Sequence, residues 1–376
     1  MSMAKKVCTV VGARPQFIKL AVVSRELRKY CQEILIHTGQ HYDRNMSDVF
    51  FEEMGIPKPD YNLGISGGSH GKMTGQMLME IESVLQQEAP DMLLVFGDTN
   101  STMAAALAAV KLHIPVCHVE AGNRLGTFDN PEEVNRIVTD HVSSLRFVCT
   151  ASGMEFLKKE CLEKNSYLVG DPMYDAFLYY KNQLDGSELE TLRDFSGNPV
   201  PVPEELYYLT CHRQENTDKD EKLDQILQAM EDLEVPVVYP VHPRNHERAE
   251  RLVRKNGYRN TLLVEPVGYL ASLSLTCRAK RIITDSGGLQ REAFWAKKPC
   301  VNVIDLVAWP ELIVNHYNQL VKPDKQDILD KLKTEVVFDD SYQPFGDGHS
   351  GAKIAEGISR FLEGRDPASN RCKQER

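Results

Sequence analysis

Short apolar runs rich in β-branched residues recur along this chain, each followed by a segment of helical periodicity, and this alternation constrains the fold more than any other feature. KVCTVVG, EILIHTG, DMLLVFGD, PVCHVE, LRFVCT and SYLVG form a first series. A strand covered on both faces reads as a continuous apolar run, and strands that alternate with helices build a parallel sheet. The pattern breaks at about Leu184 to Glu205, where DGSELETLRDFSGNPVPVPEE is polar, rich in Gly and Pro, and reads as a connection between domains. LYYLTC, VPVVYPV, TLLVEP, RIITD, PCVNV and QLVKP then form a second series. The fold class expected is α/β, with two Rossmann-like doubly wound domains facing across a cleft: residues 1–184, residues 205–345, and a C-terminal helix and polar tail over 346–376. The helical stretch Gly351–Leu362 can pack on either domain, and the polar tail after Gly364 is expected to fray.

Charge narrows the partners. Among 376 residues, 44 Lys and Arg stand against 54 Asp and Glu, a formal net charge of −10. Such a balance argues against nucleic acid or an anionic membrane as the main partner, while leaving room for a local basic pocket. There is no apolar run of about 18 residues, and the segment Met1–Lys6 lacks the apolar stretch and cleavage site of a signal peptide, so a cytoplasmic location is expected. The nine cysteines have neither C-x-x-C nor paired Cys/His spacing, which predicts no zinc site, no disulfide framework and mostly buried thiols.

In open α/β sheets, ligands bind beyond the carboxyl ends of the strands, so residues just after each run are the candidates for chemistry. The first strand ends in GARPQFIK, where Gly12 permits a tight turn and Arg14 and Lys19 flank a helix start, an arrangement suited to an anion. GDTNST and HVEAGNR place Asp98 and Glu120 on one rim, where paired carboxylates can transfer protons; Asp98 can equally be the N-cap of the next helix. In PEEVNR, Pro131 opens a helix whose first turn holds Glu132 and Glu133, one of them sufficiently explained by the helix dipole and the other open to acid or base work. In the second series, HRQEN puts His212 and Arg213 at a strand end, as donors to phosphate or partners of developing charge. RIITDSGGLQREAF ends a strand at Asp285, after which the backbone of Ser286, Gly287 and Gly288 can approach a diphosphate closely, with Glu292 farther along to accept from ribose hydroxyls; a simple tight turn with a capping Ser is the other reading.

These motifs, with HTGQH and FGDG, occur in order over nearly the whole chain, and together they resemble the non-hydrolysing UDP-N-acetylglucosamine 2-epimerase family. The resemblance implies a glycosyltransferase-B-like arrangement, a UDP-sugar as substrate, no metal, no cofactor, and a homodimer as the working unit. It implies inversion at C2 of a UDP-linked N-acetylhexosamine, gluco to manno, through anti elimination of UDP to 2-acetamidoglucal and re-addition, for supply of a surface polysaccharide precursor. By motif, Asp98, Glu120 and Glu132 are then the proton-transfer carboxylates and His212 assists UDP departure and return. Arg14, Lys19 and Arg213 neutralise phosphate, Ser286, Gly287 and Gly288 hold the diphosphate, Glu292 the ribose, and Tyr269 of EPVGY lines the uracil pocket.

Some segments depart from the UDP-N-acetylglucosamine branch. The loop between HVEAG and PEE is short, HPRNH stands where that branch has His-Leu-Asn-Pro-Asn, and FFEEMGIPKPDYNL is similar to the branch acting on UDP-2,3-diacetamido-2,3-dideoxyglucuronate. VNVIDLVAWPELI lacks an Arg-Asp-x-Thr-Glu stretch common to both branches, and HTGQHYDRNM lacks the second Gln of enzymes regulated by a second UDP-N-acetylglucosamine, so allosteric activation is not expected. A hydrolysing 2-epimerase and a glycosyltransferase of the same architecture are the competing activities. Three carboxylates and a His at strand ends favour the epimerase over the transferase.

Overall fold

The computed structural model describes residues 5–40 and 48–367. The chain divides into two compact units, the first made of Met1–Ala176 with Gln343–Arg376 and the second of Phe177–Tyr342. Among the described residues, the first unit carries a seven-stranded parallel sheet: β1 (Lys6–Val11), β2 (Gln32–His37), β3 (Tyr61–Asn62), β4 (Met92–Phe96), β5 (Val116–Ala121), β6 (Leu145–Val148) and β7 (Ser166–Leu168), in the order β3-β2-β1-β4-β5-β6-β7. The second carries a six-stranded parallel sheet of β8 (Tyr207–Thr210), β9 (Val237–Pro240), β10 (Thr261–Val264), β11 (Arg281–Thr284), β12 (Cys300–Val303) and β13 (Asn318–Val321), in the order β10-β9-β8-β11-β12-β13. Both are doubly wound α/β sheets, as the alternation predicts.

Burial explains why the runs were so apolar. Every residue of β4 is buried, and residues two apart on neighbouring strands share a face. Cys8 and Val10 of β1, Ile34 and Ile36 of β2, and Leu93 and Val95 of β4 point into one core with Met77, Ile81 and Leu85 of helix His70–Glu88 and the alanines of helix Asn100–Lys111. In the second unit, Tyr207, Leu209, Tyr239 and Ile283 pack with Leu223, Ile226 and Leu227 of helix Asp220–Glu231.

Two features differ from the sequence reading or were left open by it. The polar stretch Leu184–Glu205 is part of the second unit rather than a bare connection. Ser187–Thr191 forms a 3-10 turn, Arg193 bridges Pro199, and Leu189 and Leu192 sit buried in a core with Leu206 and Leu275. Leu189 and Leu192, with the half-buried Val200 and Val202, are enough to dock it, a signal too sparse among polar residues for periodicity to reveal. The helix Ser350–Leu362 packs on helix Arg14–Leu27 of the first unit. Its attachment is polar as well as apolar: Asp171 N donates to Phe345 O at 2.9 Å, and Gly351 N donates to Asp175 Oδ2 at 2.7 Å.

Candidate active site

The strand orders locate the candidate residues before any side chain is considered. In the first sheet the winding reverses between β1 and β4, and in the second between β8 and β11. A crevice opens at such a switch point beyond the strand ends. GARPQFIK and GDTNST follow β1 and β4; HRQEN and DSGG follow β8 and β11.

At the first switch point the loops touch closely. A Cβ on Gly12 would fall on the hydroxyls of Thr38 and Ser101, which hydrogen-bond each other at 2.8 Å, so glycine is required there by close approach. Gln16 ties the loops together. Its Oε1 accepts from Gly12 N at 2.8 Å and Ala13 N at 3.0 Å, while its Nε2 donates to Phe96 O at 2.8 Å and to Thr102 Oγ1 at 3.0 Å. The two amides at the helix start are therefore taken by Gln16, and the Arg14 guanidinium lies 4.5 Å from the Phe50 ring centre. Lys19, expected at phosphate, is 2% exposed with Nζ 2.7 Å from Glu120 Oε2, so its charge is balanced by that carboxylate.

Glu120 owes its position to a bulge. The pairing of β5 with β6 slips between Val119 and Ala121, and Glu120 has a φ of 72°, a left-handed conformation costing a non-glycine residue about 1–2 kcal/mol. Bulges beside active sites re-aim a side chain. Here Glu120 Oε1 comes to lie 3.7 Å, and Lys19 Nζ 3.4 Å, from where a Cβ on Gly97 would be, and Gly97 itself adopts a φ of 62°. Asp98 follows directly.

The capping alternative for Asp98 is settled: Thr99 is the N-cap of helix Asn100–Lys111, its side chain accepting from Thr102 N. The Asp98 carboxylate instead pairs with Arg136, whose other nitrogen reaches Glu133 Oε2 at 2.7 Å, and Asn135 Nδ2 donates to Asp98 O at 3.0 Å. Burial opposes the Arg136 charge, but Asp98 and Glu133 raise its proton affinity above that of an ordinary arginine. Glu133 is the structural member of the acidic pair. It is buried, accepts from Leu125 N and Gly126 N at 2.9 Å, and holds Arg136, whereas Glu132 is exposed.

Among the described residues, Glu120, Cys149 and Asp171 offer ligand-type atoms within 4.8 Å of one another, all buried, at the ends of β5, β6 and β7. The Lys19 ammonium already sits on that Glu120 carboxylate, which is the place a cation would need. None of the described cysteines forms a disulfide; Cys161 is exposed, Cys277 half-buried and the other six buried. Residues 41–46 of HTGQHYDRNM, and Cys372 with the end of the polar tail, lie outside the described residues.

In the second unit the organising residue is one the sequence reading did not single out. Asp285, 1% exposed, accepts from His212 N at 2.9 Å, Arg213 N at 2.8 Å and Asn216 Nδ2 at 3.1 Å, and its Oδ1 lies 2.9 Å from His212 Nδ1. Burial alone would raise this carboxyl, yet the His212 charge and these hydrogen bonds bring it down to about 2. Asp285 therefore orients His212, whose side chain remains 44% exposed, and Arg213 Nε is turned onto Asp285 O at 2.8 Å. Of HPRNH, Arg244 donates to the His212 carbonyl and the His242 ring stacks 6.4 Å from His212. A buried Asp at a strand end beside a His-Arg pair was the available signal.

Around DSGG, Ser286 N donates to Thr284 Oγ1 at 2.9 Å and Ser286 Oγ accepts from Leu289 N at 3.4 Å, while Ser286, Gly287 and Gly288 stay half-buried at the rim. Arg291 Nε donates to Gly287 O at 3.3 Å and its guanidinium lies 4.3 Å from the Trp309 ring centre, so VNVIDLVAWPELI supplies an aromatic support for the loop. Tyr269 and Glu292 are both buried; burial first, and then the Glu292 charge, push the Tyr269 hydroxyl well above its ordinary range.

Comparison with known proteins accords with this geometry. A profile of the family described as UDP-N-acetylglucosamine 2-epimerase matches residues 25–359. The chain is 44% identical over 356 residues to a UDP-N-acetylglucosamine 2-epimerase homologue of Methanococcus maripaludis, covering 93% of this chain and 98% of that one. It is 42% identical over 368 residues to the UDP-2,3-diacetamido-2,3-dideoxy-D-glucuronate 2-epimerase of Pseudomonas aeruginosa, covering 95% of this chain and 100% of that one. The UDP-GlcNAc 2-epimerase of Methanocaldococcus jannaschii, solved in complex with UDP-GlcNAc and UDP, superposes with a TM-score of 0.85 at 36% identity over 94% of this chain and 99% of that one. Among the described residues no helix is long and apolar enough to cross a membrane. With its two parallel α/β sheets, its carboxylate-bearing strand ends and a match along nearly its whole length, the chain belongs to the UDP-N-acetylglucosamine 2-epimerase family and is an epimerase.

Proposed function

We propose that the chain inverts C2 of a UDP-linked N-acetylhexosamine, gluco to manno, by non-hydrolytic elimination and re-addition of UDP. The observation that carries the reading is the pair of carboxylates at adjacent strand ends, each held by a buried cation: Glu120 by Lys19 and Asp98 by Arg136. A carboxylate held in place by a cation is positioned to act as a base, and two of them can serve removal and return of a proton on different faces of a sugar. One accepts the C2 proton, the C2–H electron pair becomes the C1=C2 bond, and the C1–O bond breaks to release UDP. Addition of UDP to C1 and of a proton to the other face of C2 completes the inversion. Glu132, exposed on the first turn of its helix, is assigned to the same proton traffic.

The leaving diphosphate carries charge that needs stabilising. His212, steadied by Asp285, assists its departure and return, and Arg14 and Arg213 neutralise phosphate. Lys19, buried on Glu120, serves the diphosphate only through that carboxylate's neighbourhood. Ser286, Gly287 and Gly288 hold the diphosphate, Glu292 the ribose and Tyr269 the uracil side; the influence of the Glu292 charge on the Tyr269 hydroxyl supports a single nucleoside-binding patch.

A second substrate, UDP-2,3-diacetamido-2,3-dideoxyglucuronate, is favoured by the 42% identical Pseudomonas relative. The homodimeric state and the supply of a surface polysaccharide precursor rest on the family resemblance, and the cytoplasmic location on the sequence's lack of a long apolar run.

Proton NMR of the protein incubated separately with UDP-N-acetylglucosamine and with the diacetamido-glucuronate in D₂O tests the reading. A manno-configured product with deuterium at C2 is expected. Conversion of only the second sugar assigns the second substrate, free N-acetylmannosamine assigns hydrolysis, and product lacking deuterium excludes deprotonation at C2. Asp98→Asn and Glu120→Gln should each abolish turnover while retaining UDP binding, and wild-type turnover in both would remove the assignment.

A further inference from the structure

The proton-transfer reading leaves unexplained how two carboxylates on separate loops, one of them on a left-handed residue, keep a fixed relation to each other. We infer that His118 and Asp140 form a buried clamp that sets the position of Asp98 against Glu120, making His118 a positioning residue of the reaction; the inference rests on the proposed roles of those two carboxylates.

The His118 ring is fully buried, and both of its nitrogens face acceptors. Nε2 lies 2.7 Å from Gly97 O, the carbonyl immediately before Asp98, and Nδ1 lies 2.7 Å from Asp140 Oδ1. The other oxygen of the same carboxylate, Oδ2, accepts from Gly122 N at 3.0 Å, two residues after Glu120. The chain is thus held on both sides of Glu120, before it by the His118 side chain and after it by the Gly122 amide, and the same ring holds the loop that carries Asp98.

The clamp is itself well anchored. Asp140 is fully buried, and Arg124 Nη1 donates to its Oδ2 at 2.7 Å while Arg124 Nε and Nη2 each meet Glu160 at 2.7 Å. Burial would raise the Asp140 carboxyl, but His118 and Arg124 bring it below the usual carboxylate range, so it remains an acceptor. A ring with one acceptor on each nitrogen has no rotational freedom left, and strained backbone persists only where its surroundings over-determine it. Glu120, with its bulge and positive φ, is such a place.

His118→Asn and His118→Gln test this. With proton-transfer groups displaced by up to about 1 Å, kcat and the rate of C2 hydrogen exchange should fall together, by about 10²-fold in His118→Asn. KM and the UDP dissociation constant by calorimetry should stay within about twofold of wild type, a split that mere loss of stability would not produce. His118→Gln, whose amide can still donate to Gly97 O, should recover part of the loss. A variant that melts lower yet turns over at wild-type kcat while folded overturns the clamp. If neither variant folds, NMR of the wild-type protein labelled with ¹⁵N-histidine decides: a slowly exchanging His118 Nε2–H held on Gly97 O is expected, and an Nε2 that is without hydrogen or exchanges freely with water overturns it. Asp98→Asn and Glu120→Gln run in parallel separate the failures. Should they keep turnover, the assignment of proton transfer to those carboxylates falls and the clamp with it; should they lose turnover while the His118 variants keep it, the clamp alone falls.

Discussion

Asp285→Asn isolates the residue on which the second unit's loops converge. The native carboxylate takes the His212, Arg213 and Asn216 donors and the His212 ring. Its pKa of about 2, against 3.8 for an ordinary aspartate, corresponds to about 2 kcal/mol of folding free energy at roughly 1.4 kcal/mol per tenfold change in proton affinity. An asparagine offers one acceptor oxygen instead of two and turns an NH₂ toward donors, so at least one buried N–H loses its partner, for a total of about 3 kcal/mol. With a urea slope of about 3 kcal/mol per molar, the unfolding midpoint should drop by about 1 M at pH 7. The sign with pH follows from the direction of the shift. The folded pKa is depressed, so the stabilisation is present above about pH 4 and is lost as pH falls toward 2; at pH 3 the gap between wild type and variant should narrow by about 1 kcal/mol. Urea titrations at the two pH values measure both effects, and calorimetry with UDP reports whether His212 has lost its orientation. An unchanged midpoint at pH 7, or a gap of the same size at pH 3, would refute the reasoning.

Lys19→Met strands Glu120 as a buried charge and should cost about 3–5 kcal/mol, read as a lower melting temperature; the double variant with Glu120→Gln should regain most of that stability and no turnover, and a Lys19→Met protein as stable as wild type would show that the pair carries no such energy. Gly12→Ala pushes a methyl onto the Thr38 and Ser101 hydroxyls and should lower stability by about 1–3 kcal/mol; an unchanged melting temperature would mean that the loops yield. Glu292→Ala should weaken UDP binding in calorimetry without lowering the exchange rate at saturating substrate, and an unchanged affinity would show that the ribose contact is misassigned.

How much of this was readable in advance depends on range along the chain. The strands came through because a sheet buried on both faces demands unbroken apolar runs, and helices between them force parallel order. β3 escaped, being two residues at the sheet edge. Among polar residues the local roles were ambiguous until partners were visible. Asp98 was a possible cap until Thr99 took that place, and Glu132 and Glu133 were interchangeable until the buried one proved to hold Arg136.

By itself, then, the sequence determined what depends on neighbours along the chain: the two doubly wound sheets, and the motifs at their strand ends that mark the epimerase family. Which charge meets which was decided only in three dimensions. Lys19 and Glu120 follow different strands, as do His212 and Asp285, and Gly97, His118, Gly122 and Asp140 meet only because β4 pairs with β5 and the helix Pro131–Val142 packs beside them. Hydrophobic patterning is periodic and non-directional, so it survives in one dimension; an ion pair or a two-sided hydrogen bond needs an angle and a distance, which sequence spacing does not carry.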